Sequence, residues 1–109
     1  MGNLAMIEID DQNFAEQMMN APKLAVLDFG GAWCQPCKKL EPILAEVASE
    51  MAEQIVVGHC DVAKGPATAK RFGVMSVPTV VLLKGGQEVD RFVGLQAKPK
   101  IVEIIQRNL

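Results

Sequence analysis

Cys34 and Cys37, two cysteines three positions apart, constrain this chain more than any other feature of its sequence. An apolar, strand-like segment at residues 24–29 precedes them, and a segment with the spacing of an amphipathic helix follows them. If Cys34 begins that helix, the two side chains lie on one face, one turn apart. Their Cβ atoms can then come as close together as a disulfide bond requires.

The C-x-x-C spacing by itself fits three kinds of site: a redox pair, half of a zinc site, or two unrelated buried cysteines. The strand before the pair and the helix after it favour the redox pair. Free backbone N–H groups and the positive end of the helix dipole favour a thiolate at Cys34. We therefore predict that Cys34 is the nucleophile and that Cys37, one turn deeper, is the resolving thiol.

Length and composition favour one compact domain. The chain has 109 residues, of which 50% are hydrophobic and 22% are charged, so a packed core is expected and disorder is not. The net charge of −2 gives no reason to expect binding to nucleic acid or to an anionic membrane. We predict a single domain over residues 1–109 with neither of these partners.

Three further observations bear on the location of the protein. Glu8, Asp10 and Asp11 interrupt any apolar segment near the N-terminus, so no signal peptide is expected. No apolar run approaches the ~18 residues that a membrane span needs. An odd number of cysteines, three, makes a poor disulfide framework for a secreted protein. The prediction is a cytoplasmic protein.

Hydrophobic periodicity predicts strands and helices in alternation along the chain. The predicted strands lie at residues 5–9, 24–29, 55–62, 80–83 and 88–93. The first predicted helix lies at residues 11–20 with Asp11 as its N-cap, and the second follows the cysteine pair and is kinked at Pro42. The third lies at residues 66–72. The last begins at Pro99 and carries an apolar stripe of Ile101, Val102, Ile105 and Leu109. Early alternation favours parallel strands and the final hairpin adds antiparallel ones, so a mixed α/β sheet with helices on both faces is expected.

Several separate motifs accompany this order of elements: Asp28-Phe29, Ala32-Trp33-Cys34-Gln35-Pro36-Cys37-Lys38, Pro42, Val77-Pro78-Thr79 and Val93-Gly94. Together with the order of elements, these motifs resemble the thioredoxin family over essentially the whole chain. The resemblance implies the thioredoxin fold, in which a mixed five-stranded central sheet is flanked by four helices. It also implies an enzyme, a protein-disulfide oxidoreductase that reduces protein disulfides by dithiol exchange in cell redox homeostasis.

The resemblance implies partners as well. The substrates would be protein disulfides. A thioredoxin reductase would return electrons to the cysteine pair, either a flavin-dependent enzyme that uses NADPH or a ferredoxin-linked one. The chain is expected to be a monomer and to hold no resident cofactor.

Several residues around the pair have expected roles. Asp28 lies in an apolar run, where a charge is costly and a pKa shift is expected, so it is the predicted acid–base group for Cys37; the alternative is an edge-facing Asp bonded to backbone. The predicted substrate-binding surface consists of Trp33, Gln35, Pro36, Val77, Pro78 and Gly94. The family match implies a cis bond before Pro78, which leaves the Val77 backbone open to an extended substrate segment. The plainer interpretations are a strand-start proline and a Trp33 that only packs.

The sequence departs from the family pattern at several positions. Gly30 replaces a residue that is usually bulky and is predicted to leave room beside the pair, and Gln35 replaces a usual glycine. His59 stands where lysine is frequent, and by the match it approaches Asp28, so the two groups would titrate together. The alternative is a His59 that points to solvent or is held neutral by a local hydrogen bond. His59 and Lys38 are candidate modulators of the site.

Cys60 is additional to the family pattern, and the plain prediction is an inert, buried thiol. A zinc site formed by Cys34, Cys37, His59 and Cys60 is the sharper alternative. It is disfavoured because neighbouring residues on a strand point to opposite faces, so His59 and Cys60 can hardly both reach the pair. No metal is therefore predicted.

Two other functions fit the same motifs. Net oxidase or isomerase activity would need a less stable disulfide between Cys34 and Cys37. A thioredoxin-like binding subunit would use the surface around Trp33, Val77 and Gly94 without turnover. The presence of both cysteines argues against a binding subunit.

Overall fold

In the computed structural model, which describes residues 5–109, five strands form one mixed sheet. The strands are β1 (Met6–Ile9), β2 (Leu24–Gly30), β3 (Ile55–Asp61), β4 (Thr79–Lys84) and β5 (Gln87–Val93). Their order is β1-β3-β2-β4-β5; β1, β3 and β2 are parallel, and β4 is antiparallel to both β2 and β5. The predicted mixed sheet is confirmed, and β2, which leads to the cysteines, lies at its centre. Residues 1–4 of the predicted domain lie outside the described residues.

Within residues 5–109, four helices accompany the sheet, as predicted. They are a π-helical turn (Ala15–Met19), α1 (Gln35–Glu50), α2 (Pro66–Arg71) and α3 (Lys98–Gln106). Helix α1 begins directly after Cys34 and continues across Pro42, where the predicted kink stays a prediction. Within residues 5–109, no helix is both long enough and apolar enough to cross a membrane.

The first helix is shorter than the predicted 11–20, and Asp11 is not its N-cap. Phe14 is the N-cap and makes no side-chain capping bond, and Asp10 stabilises the turn before it, because its Oδ1 accepts the backbone N–H of Gln12 at 2.8 Å. The Asp11 carboxylate instead reaches α2, where it accepts both the backbone N–H and the hydroxyl of Thr68 at 2.8 Å. Asp11 therefore stabilises the start of a helix 57 residues further along the chain, a contact that local sequence pattern does not contain.

Apolar side chains cover both faces of the sheet. All seven residues of β2 are buried, and alternation sends Val26 to one face and Leu27 and Phe29 to the other. The first face packs against α1 and α3, and the second packs against the π-helical turn and Phe72. Burial of each large apolar side chain contributes about 1.5–3 kcal/mol. By the same alternation, the carboxyl of Asp28 is directed to the apolar face beneath α1.

Helix α3 buries a slightly different stripe from the predicted one. Ile101 and Ile105 are buried and Val102 packs against the same core, as predicted. Leu109 is 45% exposed, because the helix ends before it, and the prediction for this residue was wrong. Ile104, one turn after Ile101, is buried and completes the stripe.

Candidate active site

The cysteine pair lies where the central strand β2 leads into α1. Cys34 was predicted as the first residue of the helix, but it is the N-cap of α1, which begins at Gln35. Its backbone angles are extended (φ −96°, ψ 111°). Cys34 and Cys37 form a disulfide whose Cα atoms are 5.3 Å apart. Cys34 Sγ accepts the backbone N–H of Cys37 at 3.2 Å. Cys34 is 5% exposed, whereas Cys37 is fully buried.

The residues between and after the cysteines suit the first turn of a helix. Pro36 lies in that turn, where its missing N–H leaves no helical bond unmade. Gln35, Pro36 and Lys38 are all exposed. The N–H of Lys38 donates to the carbonyl oxygen of Cys34 at 3.3 Å, which begins the helical hydrogen-bond ladder. The first turn therefore presents three accessible side chains beside the Cys34 sulfur.

Trp33 is 73% exposed, so it is not a core residue. Its indole covers Gly31, because a Cβ added at position 31 would lie 2.9 Å from Trp33 Cε2. Next to the indole lies a shallow groove of about 180 Å³, lined by Trp33, Val62, Ala69, Val74, Met75, Ser76 and Val77. Met75 is 95% exposed, which adds a second large apolar side chain to this surface.

The loop before β4 also faces the cysteine pair. The Val77–Pro78 peptide bond is cis, as the family match implied. The carbonyl oxygen of Val77 lies 3.7 Å from Cys34 Sγ. The buried Pro78 accepts the N–H of Gly94 at 2.8 Å, and Gly94 has a positive φ of 88° that side chains disfavour. The fold thus brings Val77, Pro78 and Gly94 together at one edge of the site.

Asp28 is a fully buried carboxyl group on the α1 face of β2. Neither of its oxygens has a hydrogen-bond partner within residues 5–109, so the alternative of an Asp bonded to backbone is wrong. Burial raises the pKa of Asp28 to about 7, the charge of His59 opposes this rise, and Glu41 and Glu8 add to it. The predicted pKa shift is confirmed, and the carboxyl is neutral below that value.

His59 lies among carboxylates and does not point freely into solvent. It is the register partner of Asp28 in the parallel pairing of β2 with β3. Its Nδ1 lies 3.4 Å from the Glu8 carboxylate, and its Nε2 lies 3.6 Å from Glu41 Oε2. The imidazole is 14% exposed. The predicted approach of His59 to Asp28 is confirmed by their register. The solvent-facing alternative is wrong, whereas the contact with Glu8 agrees with the alternative of a local hydrogen bond.

Glu8 and Glu41 did not emerge from the sequence as members of the site. Glu8 is the register partner of His59 in the pairing of β1 with β3. Glu41 follows Cys37 by four residues on α1, so it lies one turn further along the same helix face. The helical spacing was a usable signal for Glu41, but the register that places Glu8 exists only in the assembled sheet.

Gly30 leaves less room than the sequence predicted. A Cβ at this position would lie 3.3 Å from His59 Nε2 and 3.5 Å from Cys37 Sγ. A single methyl group would therefore be in tight contact, and a bulky side chain would displace its neighbours. The same distances show that His59 Nε2 and Cys37 Sγ approach one common point.

Cys60 lies on the other face of the sheet, in the apolar cluster that contains Phe29. Burial raises the pKa of its thiol to about 12, with a further rise from the charges of Asp11 and Asp61. Its predicted burial, on the face opposite His59, is confirmed. Within residues 5–109, no three His, Cys, Asp or Glu side chains are placed to hold a metal ion.

Comparison with known proteins settles the family. Residues 5–107 match the family model described as Thioredoxin. The chain belongs to the thioredoxin family. A thioredoxin of Staphylococcus haemolyticus is 37% identical over 106 residues, which cover 97% of this chain and 100% of the relative. A thioredoxin of Mycobacterium bovis is 40% identical over 98 residues, which cover 90% of this chain and 84% of the relative.

A relative of another kind is a bifunctional thioredoxin reductase/thioredoxin of Mycobacterium leprae. It is 40% identical over 96 residues, which cover 88% of this chain and 21% of the relative. The match to the thioredoxin family, together with the Cys34–Cys37 disulfide, establishes the reaction class. The chain is a protein-disulfide oxidoreductase of the thioredoxin fold, and it works by thiol–disulfide exchange.

Proposed function

We propose that this thioredoxin-family protein reduces protein disulfides with Cys34 as the attacking thiolate and Cys37 as the resolving thiol. The observation that carries the proposal is the place of Cys34 at the start of α1, where the Cys37 N–H donates to Sγ at 3.2 Å. That donor and the helix dipole stabilise a thiolate more than a thiol. Cys37 has the opposite environment, because full burial disfavours its charged form.

The proposed exchange balances in two steps. The Cys34 thiolate attacks one substrate sulfur, a mixed disulfide forms, and the other substrate sulfur leaves as a thiolate. Cys37 then loses its proton and attacks the Cys34 sulfur, so that the internal disulfide forms and the second substrate sulfur leaves. The substrate gains two electrons and two protons, and the cysteine pair loses them.

Asp28 is the proposed proton acceptor for Cys37 in the second step. A carboxyl whose pKa is about 7 can both take up and return a proton near neutral pH. Its oxygens have no competing hydrogen-bond partner within residues 5–109. Gly30, two residues later on the same face of β2, lies against Cys37, which supports a short path between the two groups.

The proposed substrate surface consists of Trp33, Gln35, Pro36, Val77, Pro78 and Gly94. The exposed side chains of Trp33 and Met75 line the groove beside Cys34, and they support an apolar contact with the substrate. The Val77 carbonyl lies near Cys34, so a segment that pairs with the Val77 backbone as an added strand would bring its disulfide to the attacking sulfur. Lys38 and His59 remain the proposed modulators.

A thioredoxin reductase is the proposed electron donor. The Mycobacterium leprae relative, whose name joins a thioredoxin reductase to a thioredoxin, supports a dedicated partner of this kind. A flavin enzyme that uses NADPH is the favoured donor, and a ferredoxin-linked enzyme is the alternative. We also propose that residues 1–109 act as a monomeric single domain in the cytoplasm, a compartment that keeps substrate thiols reduced.

Turnover of a protein disulfide tests the proposal. Insulin serves as substrate, with NADPH and a bacterial thioredoxin reductase as one electron source and dithiothreitol as a second source that needs no reductase. The parent should turn over, and Cys34→Ser and Cys37→Ser should each abolish turnover. Cys60→Ser is the matched control and should keep it, because Cys60 lies on the opposite face. Turnover by Cys34→Ser, or its loss in Cys60→Ser, would refute the proposal.

A further inference from the structure

We propose that His59 is a second proton acceptor for Cys37, reached across the space that Gly30 leaves. The inference rests on the proposed roles of Cys34 and Cys37, and it adds a residue to the resolving step. It uses three features of this chain together: a glycine at the end of β2, an imidazole on β3, and carboxylates on both sides of that imidazole.

The space at Gly30 is the first of these features. The point where a Cβ would lie is 3.3 Å from His59 Nε2 and 3.5 Å from Cys37 Sγ. In the native chain only a hydrogen on the Gly30 Cα is directed toward this point, so no side chain at position 30 lies between the imidazole and the thiol. Any other residue at position 30 would place at least a methyl group between the two reacting groups.

The groups around the imidazole favour proton uptake at Nε2, the ring nitrogen near Gly30. His59 Nδ1 is within hydrogen-bond reach of the Glu8 carboxylate, at 3.4 Å. When Nδ1 carries the proton that Glu8 accepts, the neutral ring has its free lone pair on Nε2, the nitrogen nearer to Gly30. Glu41 Oε2 lies 3.6 Å from Nε2, so its charge stabilises the imidazolium that forms when this nitrogen takes up a proton.

The same groups connect the site to solvent. Asp28 is fully buried, so a proton that it accepts has no direct exit to water. The His59 ring is 14% exposed and the Glu8 side chain is 76% exposed, which gives a stepwise route outward. The titratable groups that face His59 are Glu8 from β1, Asp28 from β2, and Glu41 and Cys37 from α1.

His59 accepts the Cys37 proton in the same step that forms the internal disulfide. In the mixed disulfide, the Cys37 thiol gives its proton to His59 Nε2. The Cys37 thiolate attacks the Cys34 sulfur, the new disulfide forms, and the bond from Cys34 to the substrate sulfur breaks. That sulfur leaves with the electron pair, and the imidazolium passes its proton outward past Glu8. Re-reduction of the pair reverses the proton movement.

A symmetrical aromatic disulfide, dithiobis(nitrobenzoate), separates the two steps in a stopped-flow measurement on the reduced protein. Its first coloured thiolate appears when Cys34 attacks, at a rate that rises with reagent concentration. Its second appears when Cys37 resolves the mixed disulfide, at a rate that does not. The rate constant of the second phase, measured against pH, therefore reports proton removal from Cys37.

The decisive comparison uses Asp28→Asn as the background, because this variant removes the proposed principal base. In Asp28→Asn, the second phase should still accelerate with rising pH, because a base other than Asp28 remains beside Cys37. Adding His59→Gln should remove that acceleration and slow the phase roughly a hundredfold, the lower end of what a positioned base supplies. His59→Asn is a second amide replacement that should behave in the same way.

Gly30→Ala in the Asp28→Asn background should slow the second phase as well, because its methyl group fills the gap. Glu53→Gln, the removal of an exposed charge after α1, is the matched control and should not alter the pH profile. If the pH profile of Asp28→Asn is unchanged by His59→Gln and by His59→Asn, the proposal is overturned. A parent protein without a second phase would instead contradict the proposed function itself, so the two failures are distinguishable.

Discussion

Trp33 lies over the backbone of Gly31 so closely that a methyl group at position 31 would come within 2.9 Å of the indole Cε2. The three atoms nearest to that methyl position all belong to the indole, which is itself 73% exposed. Gly31 therefore determines where the largest exposed aromatic side chain of the site lies.

Gly31→Ala should displace the indole of Trp33 and weaken its contact with protein substrates. An aromatic contact worth about 0.5–1.5 kcal/mol corresponds to a fall in kcat/KM for insulin of roughly two- to tenfold. The fluorescence of Trp33, the one tryptophan of the chain, should change in the same variant. In a Trp33→Ala background, Gly31→Ala should have no further effect on kcat/KM; an equal further loss would mean that Gly31 acts by another route.

Asp28→Asn should stabilise the folded protein above neutral pH. The native pKa of about 7 lies above the unfolded value near 3.8, so the native state holds the proton more tightly. The free energy of unfolding therefore falls as pH rises between these two values and is lowest above pH 7. Asparagine removes this cost, which amounts to roughly 4 kcal/mol at pH 8.

Denaturant unfolding of the oxidised protein at two pH values checks the change at Asp28. At pH 8 the variant should unfold at a higher denaturant concentration than the parent, and near pH 4 the two curves should nearly coincide. A parent whose stability does not fall with rising pH relative to Asp28→Asn would show that Asp28 is ionised in the fold.

Gly30→Trp should destabilise the fold and slow the reduction of protein disulfides. Its Cβ would already touch His59 Nε2 and Cys37 Sγ, so the indole can enter only by displacing them. Overpacking of this kind costs about 1–3 kcal/mol, which denaturant unfolding measures directly. Gly30→Ala is the graded control, with a smaller loss of stability. Unchanged unfolding and unchanged insulin reduction in Gly30→Trp would show that the site tolerates bulk there.

The elements next to the cysteines were predictable because their signals are local. The apolar run of β2, the spacing of the apolar residues along α1, and the C-x-x-C motif between them are contained in about thirty consecutive residues. Asp28 stood out both as a charged residue within the apolar run and through the family match, and the family match added the Val77–Pro78 loop. The structure confirms that Asp28 pairs with His59 in the sheet and that the Val77–Pro78 loop lies beside Cys34.

Other contacts could not be predicted because they depend on strand register or on distant segments. Glu8 meets His59 through the parallel pairing of β1 with β3, which no sequence period specifies. Asp11 was assigned to the nearest helix, whereas its carboxylate bonds to Thr68 in α2. Leu109 fits the apolar spacing of α3, but the helix ends at Gln106, and the sequence pattern alone does not show this end.

Covalent trapping tests most directly whether Cys34 is the nucleophile and Cys37 the resolving thiol. In a Cys60→Ser background, so that each variant keeps a single cysteine, each variant is mixed with disulfide-bonded insulin and the products are mapped by mass spectrometry. Cys37→Ser should accumulate a mixed disulfide through Cys34, because the attack succeeds and nothing resolves it. Cys34→Ser should accumulate none. A stable adduct at Cys37 in Cys34→Ser, with no adduct in Cys37→Ser, would reverse the assignment of nucleophile and resolving thiol.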